Sequence, residues 1–105
     1  MPVVPSTLSI RSEDEFFVRA TLALLNARLE KRSEFAAQAS RNIKGTSFLL
    51  DNAKRDRDEA RVSLLQEDVE AEKVKVKIHT EAANILKKAI QIIEAEFGVQ
   101  SGENR

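Results

Sequence analysis

The sequence predicts an all-α protein built on a long antiparallel helical hairpin of the coiled-coil type. Ala, Leu, Glu, Lys and Arg dominate its 105 residues, as they do in long helices. Both prolines lie within the first five residues, and Gly45 is the only glycine before residue 98. Apolar residues recur at alternating intervals of four and three, which is the spacing of a helix that packs along another helix.

The first helix is expected to span residues 12–44, after an extended N-terminal arm over residues 1–11. Ser12 and Glu15 have the spacing of a capping box, in which each side chain accepts a hydrogen bond from a free amide of the first turn. The apolar seam of this helix continues past one polar residue, Arg32, and contains Val18, Leu22, Leu25, Leu29, Ala36, Ala39 and Ile43.

A turn is predicted at residues 42–47, because Gly45 suits the left-handed residue that follows a helix and Thr46 or Ser47 can cap the next one. No residue forces a stop before Gly98, so the second helix is expected over residues 47–97. The result is a single helical domain over residues 12–98, followed by a disordered tail over residues 99–105.

A turn at Gly45 would place residues opposite each other when their numbers sum to about 90. Arg32 then faces Asp58, and an ion pair between them would fix the register. The alternative is that Arg32 extends outward into solvent. The seam of the first helix would pack on three residues of the second, namely Val62, Leu65 and Val69.

The second helix would extend past the first from about residue 78, and this part is apolar on two faces about 120° apart. We call the two faces the Val76 stripe and the Ile78 stripe. The Val76 stripe contains Val76, His79, Ala83, Leu86, Ile90, Ile93 and Phe97, and the Ile78 stripe contains Val74, Ile78, Ala82, Ile85, Ala89 and Ile92.

Because a large aliphatic side chain left in water forgoes about 1.5–3 kcal/mol, both stripes should be covered. The cover is a second copy of the chain, a different protein, or residues 75–97 folded back as the third helix of a bundle. That third arrangement needs a break near residues 70–74, which no glycine or proline marks. The predicted interaction surface contains Val74, Val76, Ile78, His79, Ala83, Ile85, Leu86, Ile90, Ile92, Ile93 and Phe97.

His79 is the only histidine, and histidine is the side chain that most often changes charge near neutral pH. Its spacing from Glu72 is not that of helical metal sites, so neither a metal nor a cofactor is expected. We interpret His79 as a polar residue of an interface or core. The alternative is a small all-helical enzyme or a histidine phosphocarrier that uses His79.

We therefore expect a non-enzymatic protein that acts by association, as a homo-oligomeric structural, scaffold or chaperone-like subunit, with itself or another helical protein as partner. Seventeen basic and seventeen acidic residues balance, which does not favour nucleic acid as a partner. No segment approaches the roughly 18 apolar residues of a membrane span, and no signal peptide is evident, so a membrane partner is not expected and the location should be cytoplasmic.

Overall fold

The computed structural model describes residues 12–99, which form two α-helices and contain no strand. Helix α1 spans Ser12–Arg55 and helix α2 spans Glu59–Phe97. The predicted all-helical class is confirmed for these residues. The predicted arm lies outside these residues, as do residues 100–105 of the predicted tail. The side chains of Ser12 and Glu13, at the start of the predicted capping box, are also outside the description.

The turn between the helices lies at residues 56–58, so the turn predicted at residues 42–47 is wrong. Gly45 lies inside α1 and is exposed, and apart from its two neighbours and the backbone of its own helix, no atom of the described residues comes within 4 Å of the position that a Cβ would take. A glycine inside a helix costs only about 1 kcal/mol relative to alanine. That cost is small beside the packing of the apolar seam, which continues past Ile43 through Leu50 to the fully buried Ala53.

Residues 56–58 end α1 with a Schellman motif, which needs no glycine here. Arg57 adopts the left-handed conformation at φ 57° and its amide donates to the carbonyl of Lys54 at 3.1 Å, while the amide of Asp58 donates to the carbonyl of Ala53 at 3.0 Å. The carboxylate of Asp58 then accepts a hydrogen bond from the amide of Arg61 at 3.2 Å, as an N-cap does. Asp58 is thus the cap of α2 and not the partner of Arg32.

Contacts divide the chain into two compact units. The first, which we call the core unit, combines residues 12–31 of α1 with residues 83–99 of α2. Its centre is the buried cluster of Val18, Leu22, Ile90 and Val99, and four half-buried residues pack against that cluster, namely Leu25, Leu29, Ile93 and Phe97. Leu22 is 1% exposed, which makes it the best buried large side chain of the described residues.

Val99 reaches this cluster because Gly98 reverses the chain at the end of α2. Gly98 has a φ of 67°, and the amide of Val99 donates to the carbonyl of Glu94 at 3.2 Å. This is again the hydrogen bond of a Schellman motif, in which the residue after the glycine makes an apolar contact. Val99, which the sequence analysis assigned to the tail, therefore belongs to the core.

The second unit, residues 32–82, is a helical hairpin that contains the turn, and we call it the turn unit. Its buried residues are small, namely Ala39, Ala53 and Val69. Contacts within it join Arg32 to His79 and Asn42 to Glu72, pairs whose numbers sum to 111 and 114. The predicted sum of 90 is wrong because the turn lies about eleven residues later than expected.

This shift in register also overturns the predicted seam pairs. Leu25 and Leu29 pack in the core unit against the cluster of Val18, Leu22, Ile90 and Val99. Their predicted partners, Leu65 and Val62, belong to the turn unit, as does Val69, the predicted partner of Leu22. None of the helices within residues 12–99 has the length and apolarity that crossing a bilayer requires.

Candidate association surface

The Val76 stripe lies against the chain's own helices. Ala83 and Ile90 are buried, and the other members of the stripe are half-buried. Ile90, Ile93 and Phe97 pack in the core unit with residues of α1. The predicted overhang is thus wrong, because residues 83–99 have an intramolecular partner in α1. The reason for assigning the Val76 stripe to an interface with another chain is removed.

The Ile78 stripe has no such cover in the described residues. Ile85 is 68% exposed and Ile92 66%, while Ile78 and Val74 are 53% and 55% exposed. Ala82 and Ala89 lie between them and are half-buried. All six belong to α2, which runs unbroken through residues 70–74 and on to Phe97, so helical geometry alone places them on one face.

The exposed isoleucines of this stripe repeat at intervals of seven. Ile78, Ile85 and Ile92 are separated by two helical turns each, or about 10 Å along the axis. Leu64, which the sequence analysis did not assign to a site, lies two further heptads before Ile78 and is 63% exposed. A strict seven-residue repeat drifts around a straight helix and stays in line only where the helix supercoils with a neighbour.

Two charged residues border the Ile78 stripe on the side away from the Val76 stripe. Glu81 and Lys88 are also seven residues apart, and each directly precedes an alanine of the stripe. Both side chains are exposed. In coiled coils, residues in this flanking position form ion pairs between helices and select the partner and its orientation.

A second set of exposed apolar residues, which was not predicted from the sequence, is aromatic and lies on α1. Four of the five phenylalanines of the chain are in this helix, with exposures from 47% to 74%. Phe16 and Phe17 belong to the core unit, whereas Phe35 and Phe48 belong to the turn unit. Comparing their helical positions with the seam of α1 would have placed them off that seam and revealed their exposure.

His79 lies in the turn unit, where two residues of α1, Arg32 and Phe35, contact its ring. The guanidinium of Arg32 donates a hydrogen bond to Nδ1 of His79 at 2.9 Å. Since a guanidinium has no acceptor, Nδ1 must accept, and the proton of a neutral ring then lies on Nε2. The ring of Phe35 is tilted by 47° to the imidazole, with the ring centres 5.2 Å apart. His79 is therefore a polar layer between the two helices.

Glu72 forms a second polar layer in the same unit. Its carboxylate accepts hydrogen bonds from Lys75 Nζ at 3.0 Å and from Asn42 Nδ2 at 3.2 Å. The bond from Lys75, and to a smaller extent that from Asn42, holds the pKa of Glu72 below its usual value. Glu72 and His79 border an open groove of about 320 Å³ that is also lined by Phe35, Gln38, Ala39, Asn42 and Lys75.

The polar lining of the groove consists of His79, two amides and the ion pair of Glu72 with Lys75, and the carboxylate of Glu72 is already held by two donors. Within residues 12–99, no set of three or more His, Cys, Asp or Glu side chains is placed to hold a metal ion.

No protein-family model, curated protein or solved structure matches the chain.

Proposed function

We propose that this protein acts without catalysis, as a self-associating assembly subunit whose binding surface is the Ile78 stripe of α2. The observation that carries the proposal is the exposure of Val74, Ile78, Ile85 and Ile92, each by more than half, along one continuous helix. These residues sit beside a second stripe that the chain already covers. Their seven-residue spacing is the pattern that a neighbouring helix would match.

Burial of this face would supply enough free energy for association. Fully burying an aliphatic side chain contributes about 1.5–3 kcal/mol, so the exposed parts of these four side chains represent on the order of 4–7 kcal/mol per copy. Two copies would contribute twice that amount before the entropic cost of bringing them together, which is several kcal/mol. A modest but specific dimer is the expected result.

The contacts of His79 support a structural role in preference to phosphotransfer. Nδ1 accepts a hydrogen bond from Arg32, and one side of the ring packs on Phe35. Both contacts come from α1 and join the helices of the turn unit. A polar pair in an otherwise apolar seam commonly fixes the register of two helices. We therefore assign His79 to the hairpin and not to the association surface.

The proposal is tested by sedimentation equilibrium of the wild type beside Ile85→Asp. The aspartate places a charge at the centre of the stripe and should convert the dimer to a monomer. Gln91→Asp is the matched control, because it adds the same charge at an exposed position of α2 on a different face. Both variants should keep the helical circular dichroism of the wild type. A dimer that survives Ile85→Asp, or that Gln91→Asp disrupts equally, would refute the choice of surface.

A further inference from the structure

The partner copy can be oriented from the residues of the Ile78 stripe and its charged border. We propose that two copies of α2 pack antiparallel through this stripe, with Glu81 of each copy paired to Lys88 of the other. This inference rests on the proposed function, because it describes how the self-association takes place. It is carried by two observations, the alternation of side-chain size along the stripe and the charges at its edge.

Side-chain size favours the antiparallel orientation. From residue 78 to residue 92 the stripe alternates large and small, in the order Ile78, Ala82, Ile85, Ala89, Ile92. In a parallel pair each residue would meet its own equivalent, so crowded isoleucine layers would alternate with underfilled alanine layers. An antiparallel pair can place Ile78 on Ala89 and Ala82 on Ile85, and every such layer then holds one large and one small residue.

The charged border selects one register of that antiparallel pair. A two-fold axis between antiparallel helices brings the same border of both copies together on one side. When Ile78 lies on Ala89, the border residue Glu81 meets Lys88 of the other copy, and the pair occurs twice. A slip of one heptad in one direction would bring Lys88 against Lys88, and a slip in the other would bring Glu81 against Glu81. Both slips place like charges together, which disfavours them.

Two apolar residues in line with Glu81 and Lys88 agree with the same register, namely Val74, seven residues before Glu81, and Ala95, seven residues after Lys88. In the register that pairs Glu81 with Lys88, Val74 of one copy meets Ala95 of the other. Val74 is 55% exposed and Ala95 is exposed, so both are available to a partner. Along this line of residues an apolar side chain thus meets an apolar one, and an acid meets a base. A face that is complementary to itself in this way is what a two-fold symmetric dimer requires.

Disulfide trapping tests the orientation directly, because the chain contains no cysteine that could interfere. Glu81→Cys and Lys88→Cys are prepared as two separate proteins and oxidised alone and as a mixture. We expect the mixture to form a disulfide-linked dimer and neither protein to form one alone. Linkage of Lys88→Cys alone or of Glu81→Cys alone would reveal a slipped register and overturn the proposal. A mixture that does not link, although it sediments as a dimer, would also overturn it.

Charge reversal gives a second readout in which no cysteine is introduced. Glu81→Lys and Lys88→Glu should each raise the dissociation constant of the dimer about tenfold, because each turns two attractive pairs into repulsive ones. The double variant should return it to within about twofold of the wild type. No recovery in the double variant would contradict the pairing. A wild type that is monomeric would refute the proposed function itself, whereas a dimer with other linkages refutes only the orientation.

Discussion

The guanidinium of Arg32 and the imidazole of His79 lie 2.9 Å apart, and this hydrogen bond joins α1 to α2 across 47 positions of sequence. It fixes which parts of the two helices are neighbours in the turn unit. Phe35, three residues after Arg32, packs on the same imidazole. Asn42, ten residues after Arg32, donates a hydrogen bond to Glu72, which lies seven residues before His79. The register of this hairpin is therefore set by polar pairs as well as by apolar packing.

Replacing one member of the Arg32 and His79 pair should lower the free energy of unfolding more than replacing both. Arg32→Leu or His79→Leu leaves a half-buried polar group without its partner, and each should lower the free energy of unfolding by about 1–2 kcal/mol. The double leucine variant should lie within about 1 kcal/mol of the wild type, because both polar groups are then gone. Urea unfolding of the four proteins measures this cycle. Single variants as stable as the wild type would contradict a structural role for the pair.

Glu72 should titrate at a lower pH than an ordinary glutamate, and Lys75 should be the main cause. Because the folded-state pKa is lowered, the stabilisation that it provides is present above the ordinary pKa of a glutamate, roughly pH 4–4.5. It is lost as the pH falls through the folded-state pKa. Carbon-13 NMR of the Glu72 carboxyl group follows the titration. Lys75→Met should raise this pKa more than Asn42→Ala does, and the reverse order would contradict the assigned cause.

Gly45→Ala should stabilise the protein by about 1 kcal/mol. Gly45 lies inside α1, and among the described residues no atom would clash with the added methyl group. Alanine is the better helix former and also has less conformational freedom in the unfolded chain. A rise in the thermal unfolding temperature with unchanged helical content checks this. Destabilisation would instead support a turn at residues 42–47, where the sequence analysis placed it.

Arg57→Gly should also stabilise the protein, because here glycine is the residue that suits the backbone conformation. Arg57 has a φ of 57°, and a side chain in the left-handed region costs roughly 1–2 kcal/mol that glycine avoids. The same substitution at Lys54, which lies within α1, is the control and should destabilise by about 1 kcal/mol. Chemical denaturation compares the two variants. A loss of stability in Arg57→Gly comparable to that in the control would place residue 57 in a continuing helix.

The helical class and both apolar stripes of α2 could be predicted from sequence because spacing alone fixes them. The position of the turn could not be predicted in this way. Arg57 adopts the left-handed conformation that glycine usually occupies at a helix end, whereas Gly45, the residue that indicated a helix end, lies inside α1. One clue was present, since the seam of α1 continues through Leu50 and Ala53 beyond the supposed turn.

The error in the turn carried over to the association surface. With a turn at Gly45, residues beyond 78 would have no partner within the chain, and both stripes would be uncovered. In the structure, Ile90 packs with Val18 and Leu22, while Ile85 is 68% exposed. Which of two similar stripes is left for a partner depends on the register of the chain with itself, and that register is decided by long-range contacts such as the one between Arg32 and His79.

Sedimentation equilibrium of the unmodified protein over a range of micromolar concentrations tests self-association most directly. We predict a mass that rises with concentration toward twice the 11.8 kDa of one chain, as the Ile78 stripe of one copy covers that of another. A mass of 11.8 kDa at every concentration would contradict the proposal that this protein acts by self-association.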